Sequence, residues 1–121
     1  MAFSFLMSKF QALKKNQDFQ SVYRGGSSRA NRLLVMLVKK NESPSNRIGI
    51  SVSKKVGNSV VRHRITRLLR EVFRLNWDGI RGGYDIVVVA RGLARESGYS
   101  QMESAVLHLL RLHHLLSEES V

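Results

Sequence analysis

Residues 47–74 read RIGISVSKKVGNSVVRHRITRLLREVFR, with eight Lys/Arg against a single acid, Glu71. The stretch opens with alternation: Ile48, Ile50 and Val52 on one side, Gly49, Ser51 and Ser53 on the other. A period of two predicts a half-buried strand over 47–53. Lys54 and Lys55 follow, then Gly57-Asn58, a turn whose asparagine offers a helix N-cap. From there the period becomes helical as far as about Leu75. At 100° per residue, Val61, Ile65, Leu68, Leu69, Val72 and Phe73 fall on one side. His63, Arg64, Arg67, Arg70 and Arg74 cluster on the other, and Arg62 lies near the edge of the apolar face.

Working outward, Asn16 is read as the cap of a short helix over 17–24, with Phe19, Val22 and Tyr23 on its apolar side. Gly25-Gly26-Ser27-Ser28 ends it, and a short strand is expected near 27–29. The apolar run LLVMLVK (33–39) predicts a well-buried strand. Residues 41–46, which hold the only proline, Pro44, predict a loop short enough for strands 33–39 and 47–53 to pair antiparallel. Downstream, 79–83 reads as a loop and YDIVVVA (84–90) as a strand. A last helix is expected to open with a capping box, Ser100 and Glu103, and to bury Met102, Ala105, Val106, Leu109, Leu110 and Leu116. The order α-β-β-β-α-β-α describes an α+β fold, a small mixed sheet packed with helices. At 121 residues the chain makes one domain, with residues 1–12 expected to be a flexible segment.

The formal charge is +11 on 13.7 kDa, and it is unevenly placed. Residues 1–74 hold 16 Lys/Arg and 3 Asp/Glu, whereas residues 75–121 hold 4 and 6. Such concentration of cation makes nucleic acid the leading partner class. The bland alternative for the basic helix is a solvated face, but such a face interleaves acids. Arginine predominates here, and its planar fork holds phosphate oxygens in pairs. Lys54 and Lys55 extend the cationic surface to the helix N-terminus, where free N–H groups also favour anions. Phe19 and Tyr23, four apart, are neighbours that read first as core residues of a short amphipathic helix, with a platform for stacking single-stranded bases as the functional alternative.

Chemistry by the protein itself is not expected. There is no cysteine, which excludes disulfides and thiolate ligands. Asp18, Asp78 and Asp85 stand isolated, without the converging carboxylates that two-metal phosphodiester cleavage needs. The four histidines make no zinc-protease pattern, and His108 and His113 are expected on the surface of the last helix. No phosphate-binding glycine loop is present. The start of the chain is too short for a signal core, no stretch has the length of a membrane span, and the chain reads as cytoplasmic.

The segment KKVGNSVVRHRITRLLREVFRLN closely resembles the protein subunit of bacterial ribonuclease P, whose signature is a strand, a Lys-Val-Gly-Asn turn and a helix bearing Arg-Asn-Arg. LKKNQDFQSVYRGGSSRANRLLVMLV resembles that family's N-terminal helix and first strands, and YDIVVVARGLA its last strand. The likeness spans roughly residues 13–116. It implies a left-handed β-α-β crossover, and a protein that joins a catalytic RNA to remove the 5′ leader of precursor transfer RNA. Mg²⁺ would belong mainly to the RNA, with none bound by the protein alone, and no protein partner or membrane is implied. By position, Arg62, Arg64, Arg67 and Arg70, with Lys54 and Lys55, would meet the catalytic RNA, joined by His63 and Arg74 on the same helix. Phe19 and Tyr23 match the cleft where the leader lies, and Arg91 fits a further basic contact. Three departures stand out: His63 replaces the usual Asn of the triplet, Thr66 replaces a common Lys, and the start MAFSFLMSKF is more apolar than the family's often basic one, so no RNA contact is expected there.

Two other classes fit parts of the pattern. A ribosomal-type RNA-binding protein or RNA chaperone would use the same basic helix. A helix-turn-helix regulator is disfavoured, because strands rather than a companion helix precede the arginines.

Overall fold

The apolar run Tyr84–Ala90 is the middle strand of a five-stranded sheet. The computed structural model describes residues 11–116. In chain order these form β1 (Gln11–Ala12), α1 (Asn16–Gly25), β2 (Ser27–Ala30), β3 (Leu34–Lys40), β4 (Arg47–Ser51), α2 (Ser59–Asn76), β5 (Tyr84–Ala90) and α3 (Tyr99–Leu112). Short 3-10 turns cover Trp77–Gly79 and Gly92–Glu96. The α+β order read from the sequence holds, with one addition. Gln11 and Ala12, inside the segment expected to be flexible, pair in parallel with Arg47 and Ile48. The apolar residues 1–10 lie outside the described residues.

The sheet runs β1-β4-β5-β3-β2, with β5 parallel to β4 and antiparallel to β3. This corrects one expectation. Strands β3 and β4 do run in opposite directions, but they are not neighbours, because β5 lies between them. The 41–46 loop is therefore a bridge over the incoming end of β5 rather than a hairpin. Its asparagines do the bridging. Asn41 N–H donates to Gly83 O at 2.8 Å, Asn46 Nδ2 to Arg81 O at 2.9 Å, and Tyr84 N–H to Asn46 Oδ1 at 2.8 Å. Gly82 passes so close beneath that a Cβ there would sit 2.3 Å from Pro44 O, and Gly83 has φ +101°, where glycine is favoured.

Alternation then sorts the two faces of the sheet. Leu34, Met36 and Val38, with Ile48, Ile86, Val88 and Ala90, pack against Ile65, Leu69, Val72 and Phe73 of α2 and Met102, Val106, Leu109 and Leu110 of α3. Among the described residues the opposite face carries only α1, through a smaller cluster of Leu13, Val22 and Val87 with Phe19, Leu37 and Val89 against it. So β3 is not buried throughout: Val35, Leu37 and Lys39 are half-buried on the α1 side.

Helix ends differ from expectation in two places. Helix α1 begins at Asn16 itself, with Lys15 O accepting from the Asp18 amide at 3.0 Å. Helix α3 begins at Tyr99, where the Gln101 side chain accepts from Gly98 N–H at 2.9 Å. Ser100 and Glu103 are two residues too late to serve. Glu103 instead meets Asn76 Nδ2 at 3.0 Å and Tyr99 Oη at 3.1 Å. At the far end Leu115, rather than Leu116, is the fully buried residue. His108 is exposed as expected, whereas His113 is half-buried, its Nε2 3.0 Å from Met36 O.

Asp85, at the start of β5, anchors this arrangement. Arg47 Nε and Nη2 donate to its two oxygens at 2.9 and 2.7 Å, and Asn41 Nδ2 adds a third bond at 2.9 Å. Burial opposes its charge, but these donors outweigh that and hold the carboxyl below its usual range. A depressed carboxylate contributes stability above the unfolded pKa that is lost as pH falls through the folded one. Asp85→Ala is expected to lower stability by about 2 kcal/mol in urea unfolding at neutral pH. The variant should also lose stability less steeply than the parent below about pH 4. Equal acid slopes would contradict this role.

Candidate nucleic-acid interface

Each residue of the Lys-Val-Gly-Asn turn has a definable task in launching α2. Val56 is buried, and its amide closes a turn onto Ser53 O at 3.1 Å, leaving Lys54 and Lys55 exposed at the bend. Gly57 leaves room for Val61, whose side chain would lie 2.8 Å from any Cβ there. Asn58 caps the helix, its Oδ1 accepting from Val61 N–H at 3.1 Å. Two cations are thereby held beside a helix N-terminus.

The five arginines of α2 do not form one surface. Arg62, His63, Thr66, Arg67 and Arg70 line a cleft of about 390 Å³ against Ile50 and Val52, beside the end of β4. Arg62 Nε donates to Gly57 O at 3.2 Å, and the Thr66 hydroxyl to Arg62 O at 2.8 Å, which steadies that wall. Arg64 points elsewhere. Its Nη1 donates to Ser97 O at 2.9 Å and its Nη2 to Arg95 O, clasping the 3-10 turn that precedes α3. Arg74 is also diverted, pairing with Glu71 through Nε–Oε1 at 3.0 Å. Periodicity had grouped Arg64 and Arg74 with Arg67 and Arg70. It could not register that carbonyls and an acid nearby would claim two of them.

The α1 face of the sheet offers a second surface. Phe19 is half-buried and Tyr23 is 39% exposed, with ring centroids 6.4 Å apart and planes at 44°. So one aromatic is seated and its neighbour open. Phe19 is seated on Gly49, where a Cβ would come within 2.7 Å of Phe19 Cζ. Beyond the helix the ladder sets Val35 opposite Val89 and Ser51 beside Val89, all half-buried. Arg91 follows β5, exposed, with its Nη1 donating to Asn31 O at 2.7 Å.

Sequence reasoning passed over several of these residues. Gly49 was readable, since a lone glycine inside a strand signals close approach by another group. Two of the acids that stand apart from other carboxylates in the sequence have a basic partner in space. Asp85 and Asp18 both meet Arg47, the latter at 3.6 Å. Nothing local to either aspartate announces that.

A mixed sheet with a cationic cleft on one side and an open, aromatic-edged face on the other defines a small basic RNA-binding class of α+β domain. The family model described as Ribonuclease P matches residues 7–113, and the chain belongs to that protein family. It is similar to the ribonuclease P protein component of Lachnoclostridium phytofermentans, 55% identical over 107 residues covering 88% of this chain and 92% of that one. The Alkaliphilus metalliredigens component is 51% identical over 111 residues, covering 92% and 100%. Among solved structures, the Staphylococcus aureus RNase P protein superposes with TM-score 0.83 at 39% identity, covering 90% of this chain and all of that chain. The Thermotoga maritima protein gives 0.78 at 31%, covering 84% and 96%. Membership makes the chain the protein part of a ribonucleoprotein endoribonuclease of transfer-RNA 5′ processing, partnered by the ribonuclease P RNA. It also decides against a ribosomal-type protein or chaperone.

The division of arginines yields a measurable contrast. Arg67→Ala should lower the salt slope of binding to the catalytic RNA by about one unit per lost phosphate contact. Arg64→Ala should leave that slope unchanged and speed hydrogen exchange at the Ser97 amide, which bonds Ala94 O at 3.1 Å. Identical slope losses from the two variants would contradict the assignment.

Proposed function

We propose that this chain grips the catalytic RNA through the α2 cleft and holds the single-stranded 5′ leader of precursor transfer RNA on the open α1 face. The observation that carries this reading is the opposite-facing pair of surfaces, one cationic and one aromatic and half-apolar. Arg62, His63, Arg67 and Arg70, with Lys54 and Lys55, supply the phosphate contacts. Arginine forks suit the closely spaced phosphates of folded RNA. Tyr23, with Phe19 beneath it and Val35 and Val89 alongside, suits unpaired bases, which stack on aromatic faces without strict sequence demand. Arg91 stands at the end of that face for a leader phosphate.

Catalysis is assigned to the RNA. The α2 cleft does not fit Mg²⁺. The cleft that would face the RNA is lined by arginines, which repel a divalent cation. Asp18 and Asp85 are held by Arg47, and Glu71 by Arg74. The protein's part is to screen phosphate repulsion between two RNAs and to retain the leader. Its proposed compartment is the cytoplasm, where precursor transfer RNA is made.

Reconstitution tests the reading. Added to the cognate catalytic RNA at low Mg²⁺, the chain should restore leader cleavage, and no gain across a salt and Mg²⁺ titration would overturn the proposal. Within the assembled enzyme, Tyr23→Ala should weaken binding of leader-bearing substrate relative to mature product by about 1–3 kcal/mol. An unchanged ratio would return Tyr23 to a purely structural role.

A further inference from the structure

A second groove, of about 660 Å³, lies at the end of the sheet beyond the α1 face. It runs between the β2–β3 turn, the 92–97 turn and the first turns of α3. Its apolar lining is Leu33, Leu93 and Ala105, with Leu93 60% exposed. Asn31, Ser104 and His108 supply polar groups along the wall, and Arg32 a cation. One acid, Glu96, also lines it. The α2 cleft and the aromatic face leave this groove without a role.

The groove is built rather than incidental. Asn31 joins its two walls: Nδ2 donates to Ala105 O at 3.0 Å and lies 3.2 Å from His108 Nδ1. The Asn31 Oδ1 accepts from the Leu33 and Leu34 amides at 3.2 and 3.0 Å, which fixes the β2–β3 turn. A preformed concave surface with an apolar floor and hydrogen-bonding walls needs little ordering before it accepts a planar group. Arg91 links it to the α1 face. Arg91 has the sheet parity of Val87 and Val89, and its guanidinium ends on Asn31 O at 2.7 Å, at the lip of the groove.

We propose that this groove is a distal leader subsite, receiving a base of the single-stranded leader after the strand has crossed the open face and passed Arg91. Leu33 and Leu93 contact the face of the base, Ser104 and His108 its polar edge, and Arg32 with Arg91 the flanking phosphates. The subsite rests on the leader-face reading above. It adds a distinct consequence, because it is reached only by leaders long enough to round the end of the sheet.

The test uses the reconstituted holoenzyme and precursor transfer RNAs whose leaders are shortened one nucleotide at a time. Ser104 is exposed on α3, so Ser104→Glu places a negative charge in the groove without disturbing the core. The variant should bind long-leader substrates about five-fold more weakly than the parent and the shortest-leader substrates equally well. Ser104→Lys should retain or tighten long-leader binding, which separates charge from bulk. Equal loss at every leader length, or no loss at any, overturns the subsite. Weakened affinity of Ser104→Glu for the catalytic RNA alone also overturns it, by assigning the groove to the other RNA. Tyr23→Ala, measured in the same series, keeps the two ideas apart. If Tyr23→Ala weakens even short-leader binding while Ser104→Glu changes nothing, the open face stands and the distal subsite falls.

Discussion

The bidentate contact of Arg47 with Asp85 ties the first residue of β4 to the second residue of β5, and the remaining architecture follows from that parallel register. Asn41 adds a bond to the same carboxylate from the loop above. A loop, the strand it leads into and a strand distant in sequence thus meet at one nearly buried charge. A buried carboxylate left without these donors would cost more than the contact gains. That asymmetry favours one strand order over its competitors. Once β5 is seated between β3 and β4, the chain between β4 and β5 must cross over as α2, and the arginine helix is brought onto one face of the sheet.

Both candidate surfaces descend from the same alternation. The residues of β3, β4 and β5 that face α2 and α3 are sealed in the core, so the cations of α2 project at its margins. On the reverse side a ten-residue helix covers a sheet several strands wide. The strip that no other described residue covers is neither greasy enough to be a buried core nor charged enough to be ordinary surface. Gly49 allows Phe19 to lie against the strand, which sets the floor from which Tyr23 stands clear. On the proposed reading, a stacking face on one side and a phosphate cleft on the other let one small domain address two RNA conformations.

Much of this was legible before the structure. The spans of β3, β4, β5 and α2 follow from period and punctuation, because those signals are local. Asn58 as a cap and Phe19/Tyr23 as neighbours are likewise short-range facts. Strand neighbours were not legible. A short loop between two antiparallel segments resembles a hairpin unless the bonds of Asn41 and Asn46 to a strand about forty residues away are visible. The roles of Arg64 and Arg74 were hidden for a similar reason. Helical angle tells which way a side chain leaves the backbone, but a long arginine ends wherever acceptors await it. The family signature identified the partner, while which of the arginines are bonded within the fold had to come from contacts.

The central claim is that two faces of one domain meet two different RNAs. Because the chain has no cysteine, a single cysteine can be introduced and labelled with a photo-crosslinker. Placed at Val35 on the open α1 face, the probe should attach to the leader of precursor transfer RNA in the assembled enzyme. Placed at Thr66 in the α2 cleft, it should attach to the catalytic RNA. Reversed targets, or both probes reaching the same RNA, would contradict the account.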